Sequence, residues 1–233
     1  MFFPEKITQI KNNDRVLEIG PGAGPHSRSD IYLEKLFEPE EYIKQCGNEE
    51  ARFDSSKAIY YEGGVFPFKD NEFDYVICSH VIEHVPSEDL PLFISEMQRI
   101  APRGYLEFPA AYYEILCFPE GHLWFMNYRD GEILLFPRAK FQQTWFHKTM
   151  QAMWYQKGYS YRKEKRFFFI GFEWESQQAP LKYRILEEFN DLVTREEYKT
   201  WKTYFESSKV TRKKSLRKRL NQKVNRIFNK NSK

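Results

Sequence analysis

Four stretches of this chain hold residues whose types and spacing could do chemistry, and each stands at the end of an apolar run. The first is Val16-Leu17-Glu18-Ile19-Gly20-Pro21-Gly22-Ala23-Gly24. Glycines at the carboxyl end of a buried strand let the backbone approach a ligand closely, and in open α/β sheets ligands bind at that end. The alternative is an ordinary tight turn. The loop continues Pro25-His26, so it is not the G-x-G-x-x-G of a dinucleotide pyrophosphate site. The second is Glu34, at the tip of the run Asp30–Glu34. A carboxylate there can accept both hydroxyls of a ribose, each charged hydrogen bond being worth about 1.5–3 kcal/mol. The third is Tyr61-Glu62-Gly63-Gly64, where an acid ending a third strand can accept from an adenine amine. The fourth is Phe73–Val85, with Ser79 and His80 where a fourth strand should end. An imidazole at that mouth can take a proton from an acceptor hydroxyl, whereas a hydrogen-bonded histidine that shapes the pocket is the competing reading. His84 reads as a packing residue.

These positions require a scaffold of alternating strands and links. Strands are expected near 16–19, 30–34, 58–62, 73–78 and 105–108, and a helix over 88–101 with Ser87 as its N-cap. That alternation predicts a parallel sheet with right-handed crossovers. After Pro109 the pattern changes. Leu123–Tyr128 and Glu132–Phe136 flank Asp130-Gly131, a hairpin signal. Residues 39–46, 138–156 and 181–206 read as helical, and Arg166–Glu175 as a late strand, paired antiparallel at the sheet edge.

Taken in order, the four stretches resemble the class I S-adenosylmethionine-dependent methyltransferases, in the branch called the type 11 methyltransferase domain. The residues that carry the resemblance are the GPGxxP loop, the Val65-Phe66-Pro67-Phe68 segment and FDYVICSHVIEHV, over residues 14–109. The resemblance implies an α/β, Rossmann-like fold: a mostly parallel central sheet with helices on both faces. It implies S-adenosyl-L-methionine as cofactor, with Gly20, Gly22 and Gly24 around its methionine part and Glu18 in the motif's acidic position. It implies Glu34 on the ribose, Glu62 and Gly63 near the adenine, and Ser79 and His80 between the methionine and the acceptor. Only ten residues separate Gly24 from Glu34, so the first crossover must be shortened, and Glu41 is the alternative ribose acid.

Methyl transfer is an in-line displacement in which the protein supplies position and electrostatics. No Asn/Asp-Pro-Pro-Tyr/Phe stretch follows the fourth strand, which argues against base amines as acceptors. The expectation is O-methylation of a small-molecule, glycan or lipid-linked acceptor, with His80 as base and His122 as the alternative. The aromatic hairpin is expected to cap the acceptor side through His122, Trp124 and Tyr128. Ordinary core packing is the competing reading for these three.

Composition bounds the rest. The chain has 233 residues, enough for one well-buried domain. Its three cysteines, Cys46, Cys78 and Cys117, are odd in number and scattered, so neither a disulfide framework nor a zinc site is expected, and no metal is assigned. The amino terminus lacks a signal-peptide core, and no window approaches a membrane span, so the expected setting is cytoplasmic. Residues 207–233 hold 11 of the 36 Lys/Arg and no acid, leaving 25 bases against 33 acids, a net of −8, in the body. The expected organisation is a domain over 1–206 and a basic tail over 207–233. Leu216, Leu220, Val224 and Ile227 recur at helical spacing in that tail. It is read as a peripheral contact with an anionic inner membrane surface, as an RNA-phosphate anchor for an RNA methyltransferase, or as a solvated terminus. The acidic body weighs against nucleic acid. A methyltransferase-like binding protein without turnover is the non-enzymatic alternative.

Overall fold

The structure is a computed structural model that describes residues 1–22, 24–38, 53–156 and 164–206. The helix expected over 39–46, the alternative acid Glu41 and the basic tail lie outside the described residues. The chain divides into two compact units, Met1–Leu192 and Val193–Lys233, so the boundary falls before the expected 206/207.

The first unit is built on a six-stranded sheet in the order β3-β2-β1-β4-β5-β8. Its strands are β1 (Val16–Ile19), β2 (Ile31–Lys35), β3 (Ala58–Tyr61), β4 (Tyr75–Ser79), β5 (Arg103–Pro109) and β8 (Phe169–Glu175). The first five run parallel and β8 pairs antiparallel with β5. β1 is buried along its whole length and β4 along all but Ser79, as near-continuous apolar runs should be when both faces are covered. Among the described residues no helix lies between β1 and β2, and those of 20–30 return as turns and bends, so the first crossover is short. The sheet order reverses between β1 and β4, which places the crevice of an open α/β sheet beside Gly20 and Ser79.

Alternation sorts the side chains onto two faces. Leu17, Ile19, Val76, Cys78 and Leu106 pack against helix α1 (Leu90–Ile100) and the hairpin. Val16, Tyr75, Ile77 and Tyr105 are covered by Met1, Ile7 and Ile10 of the amino-terminal segment. Glu18, Glu34, Ser79 and Glu107 fall on this second face by the same alternation.

α1 starts at Leu90, after a turn closed by Asp89 N–H donating to the Pro86 carbonyl. Ser87 therefore does not cap it; its hydroxyl donates to Glu88 instead. Buried Glu96 accepts from Phe66 N–H at 2.7 Å and forms a two-pronged pair with Arg99 at 2.7 and 2.6 Å, which fixes the loop between β3 and β4 onto α1.

The hairpin of β6 (Trp124–Arg129) and β7 (Glu132–Pro137) turns at Asp130 and Gly131, both at positive φ, as a tight two-residue turn requires. Its third strand, β9 (Lys182–Ile185), runs parallel to β7 inside a region expected to be helical. Helix α2 (Ala111–Cys117) follows β5, and α3 (Trp145–Gln156) begins seven residues later than the expected 138, after a 3-10 turn at Arg138–Lys140. A four-residue helix, α4 (Lys165–Phe168), leads into β8. The second unit contains a helix over 195–206.

Candidate functional site

The parallel register puts the carboxyl ends of β1, β2 and β4 side by side. Ile19 pairs with Leu33 and with Cys78, and Gly20 N–H donates to the Leu33 carbonyl at 2.9 Å. Gly20, Glu34 and Ser79 each sit one position past this row. Gly20 has φ +62°, and a Cβ there would lie 2.4 Å from Val81 Cγ2, so only glycine fits. Gly22 has φ +55°, and a Cβ on Gly22 or Gly24 would meet nothing closer than 4.0 Å. The loop thus leaves a bare backbone surface on its outer side.

Glu34 is the acid that faces this region without engagement. No hydrogen bond or ion pair holds its carboxyl among the described residues, and burial alone pushes its pKa up from 4.5 to about 7. Such a carboxyl is ready for hydroxyl donors. Glu18 is committed within the protein: one oxygen accepts from His26 N–H at 2.8 Å and Ser29 Oγ at 2.6 Å. It holds the short crossover in place, and burial raises its pKa despite those bonds. Glu62 is exposed just past β3, and Gly63 (φ +111°) passes over the Lys35 side chain.

Beyond Ser79 the geometry departs from a free catalytic base. His80 has φ +59°, a strained conformation for a non-glycine residue. Its Nε2 lies 3.0 Å from Glu107 Oε1 and its Nδ1 3.2 Å from Glu83 Oε1. Burial acts to lower the His80 pKa, but the carboxylates of Glu107 and Glu83 outweigh it and raise the value to about 9. Each ring nitrogen faces a buried carboxylate, an arrangement that favours the protonated ring and leaves neither nitrogen free to take an acceptor's proton.

Glu107, fully buried on β5, is the hub that makes this so. It accepts from Phe2 N–H (2.6 Å), Phe3 N–H (2.9 Å), Tyr105 Oη (2.6 Å), Ser79 Oγ (3.1 Å) and His80 Nε2. Burial opposes its ionisation, yet His80 and the other donors prevail and hold its pKa near 2. The amino-terminal segment is thereby tied beside His80, whose ring contacts Phe2 and Phe169 edge-on.

The expected acceptor residues separate. Trp124 is 2% exposed and its indole N–H donates to the Val85 carbonyl at 2.7 Å, so it is a core residue and offers no surface to an acceptor. Tyr128 stacks on Phe172 with ring centroids 4.0 Å apart and borders a cavity of about 240 Å³ shared with Pro180 and Leu181. That cavity abuts residues 178–182, near Glu175, which pairs with Arg103 at the amino end of β5. It is not at the carboxyl edge where the glycine loop lies. His122 does reach the fourth-strand region. Its Nδ1 lies 2.7 Å from Glu114 Oε1, and its ring meets His84 edge-on at 4.6 Å. His84 Nδ1 bonds the Gly121 carbonyl, and burial drives its pKa down to about 4. Glu83, Glu107 and Glu114, all fully buried, were not singled out by the sequence. Glu107's partners Phe2, Phe3 and His80 are distant along the chain, and for Glu83 the only local signal was an acid next to His84.

Residues 17–108 match the family model described as a methyltransferase domain. Over these residues the chain is similar to methyltransferase domains, and S-adenosylmethionine is the cofactor of the class I methyltransferases it resembles. Solved structures similar to the chain include a candidate methyltransferase from Bacillus halodurans C-125, at 20% identity, covering 52% of this chain and 61% of that one, with a TM-score of 0.35. An S-adenosylmethionine-dependent methyltransferase from Thermotoga maritima, described as a possible histamine N-methyltransferase, shares 22% identity over 46% of this chain and 49% of that one, TM-score 0.30. One from Aquifex aeolicus shares 23% over 46% and 63%, TM-score 0.28. The chain spans about half to six-tenths of the length of these structures. No curated protein matches the sequence.

The residues fit the cofactor. Two glycines at positive φ expose backbone, and an unengaged, half-buried carboxyl stands one strand away.

Proposed function

We propose that this chain is an S-adenosylmethionine-dependent methyltransferase acting on a hydroxyl of a small-molecule, glycan or lipid-linked acceptor. The observation that carries the reading is the unengaged Glu34 carboxyl beside the Gly20–Gly22 backbone, within the stretch that matches the methyltransferase-domain model. When bound, the cofactor supplies an electrophilic methyl on a sulfonium. The chain's own residues bind and orient. Gly20 and Gly22 allow close approach of backbone N–H groups, and Glu34 accepts from the ribose hydroxyls. Glu62, exposed past β3, is the residue assigned in this reading to the adenine edge.

His80 acts in this reading as a fixed positive charge at the mouth. Clamped between Glu107 and Glu83, it orients the Ser79–Ile82 turn and does not itself remove a proton. Such an enzyme works through alignment of the acceptor oxygen with the methyl. The basic tail, with 11 bases over 207–233, supports a lipid-linked acceptor held near an anionic surface. No described helix is long and apolar enough to cross a membrane.

The test is calorimetric titration of S-adenosylmethionine and S-adenosylhomocysteine into wild type, Glu34→Ala and Gly22→Asp. Micromolar binding that both variants lose is the expected result. A folded wild type that binds neither compound would overturn the reading.

A further inference from the structure

The fully buried Glu83 carboxylate is the least explained charge in the described structure. Oε1 lies 3.2 Å from His80 Nδ1, an ion-pair distance without hydrogen-bond alignment, and neither oxygen has a hydrogen-bond partner among the described residues. His80 already serves Glu107 through its other nitrogen. One cation therefore faces two buried anions. An uncompensated buried charge costs several kcal/mol, so a sequence that keeps one needs a reason.

Two imidazoles converge on the same carboxylate. One donor atom from each of Glu83, His84 and His122 lies within 4.8 Å of the others. A backbone bond brings them together: Leu123 N–H donates to the Glu83 carbonyl at 2.8 Å, docking the 121–123 segment on the 3-10 turn Ile82–His84. Each imidazole is also oriented from behind. His84 Nδ1 is held by the Gly121 carbonyl and His122 Nδ1 by Glu114, which leaves Nε2 of both rings for another partner. Carboxylate-to-histidine and carbonyl-to-histidine bonds of this kind fix a metal ligand's tautomer and direction. Glu114 is steadied in turn by Arg138 at 3.5 Å.

We infer that Glu83, His84 and His122 form a binding site for a divalent transition-metal ion, with Glu114 as the group that orients His122. Two imidazoles and one carboxylate make a mixed nitrogen and oxygen donor set, suited to Zn²⁺, Co²⁺ or Fe²⁺ rather than to Mg²⁺ or Ca²⁺. Ligand bonds of about 2.0–2.2 Å bring donors to roughly 3–3.5 Å from one another, so the side chains close by about an ångström on loading. Three protein donors leave coordination open for water or for an oxygen of another molecule. The ion would also supply the positive charge that Glu83 lacks. The expectation of no zinc site rested on the scattered cysteines, which do not bear on this donor set.

The experiment uses the full chain without an affinity tag, stripped by chelator and dialysed. Co²⁺ is titrated while the visible d–d bands are followed, and Zn²⁺ is titrated by calorimetry. One equivalent of each ion should bind, with cobalt bands of a low-symmetry nitrogen and oxygen site. Glu83→Gln, nearly isosteric, and His122→Gln should each weaken binding by about a hundredfold or more, and Glu114→Gln by about 10–100-fold. Cys46→Ser should leave binding unchanged, and circular dichroism should show all variants folded. The inference is overturned if folded wild type takes up no equivalent of Co²⁺ or Zn²⁺, or if uptake survives both Glu83→Gln and His122→Gln.

Discussion

Glu107 and His80 share one short bond, Oε1 to Nε2 at 3.0 Å, that joins the end of β5 to the turn after β4. The same carboxylate takes two backbone N–H groups from Phe2 and Phe3, so one side chain closes the sheet, the turn and the amino terminus into a single polar knot. Removing one partner of a buried ion pair strands the other, at a cost of about 3–5 kcal/mol. Glu107→Gln should therefore destabilise the fold by an amount of that order. Tyr105→Phe, which deletes one neutral donor to the same carboxylate, should cost about 1 kcal/mol. Chemical denaturation of both variants checks the contrast; equal losses would mean that the pair with His80 adds nothing.

The glycine loop makes a second contrast. Gly20→Ala forces a Cβ to 2.4 Å from the stiff, β-branched Val81 and into a left-handed backbone that costs about 1–2 kcal/mol. Both stability and cofactor binding should fall. Gly24 has open space where a Cβ would stand, so Gly24→Ala should keep its melting temperature and weaken only cofactor binding. Thermal melts set beside calorimetric titrations read the two effects separately.

The sheet could be read from the sequence because each central strand is an apolar run that ends at glycines or a polar turn, and burial on two faces needs nothing more specific. Gly20, Gly22 and Glu34 were legible for the same reason, being the first residues past those runs. β9 was not. Lys182–Ile185 alternates charged and apolar residues, but over only four positions that are mostly exposed, too short a run to stand out from a stretch read as helical; pairing with β7 makes it a strand. His80 was legible as a residue of interest but not in its role. That role depends on Glu107, 27 residues later, and on Glu107 being buried under Phe2. Trp124 failed similarly: an aromatic hairpin looks alike whether it faces ligand or core.

Trp124 offers a plain test of the core assignment. Trp124→Phe loses the indole bond to the Val85 carbonyl and leaves that acceptor buried, at about 1–3 kcal/mol. The variant should melt lower and bind S-adenosylmethionine as wild type does. A loss of acceptor turnover at unchanged stability would instead return Trp124 to the acceptor side.

Glu34 couples the cofactor site to pH in opposite directions for folding and for binding. Its pKa in the folded chain is about 7 against an ordinary 4.5, because burial penalises the charged form. The folded state thus holds the proton more tightly than the unfolded chain does. The resulting stability is fully present below pH 4.5 and is lost as pH rises through about 7. Ribose hydroxyls donate best to the ionised carboxylate, so cofactor affinity should rise over the same interval. Each such bond is worth about 1.5–3 kcal/mol, roughly ten- to 150-fold in Kd. Glu34→Gln should flatten both profiles: thermal stability without this downward step, and weak cofactor binding that no longer improves with pH. Melting curves and titrations at pH 5, 6, 7 and 8, ~1 unit apart to resolve a single titration, check the pair. A wild-type affinity that stays level across that series would remove Glu34 from the ribose contact, whatever its effect on the fold.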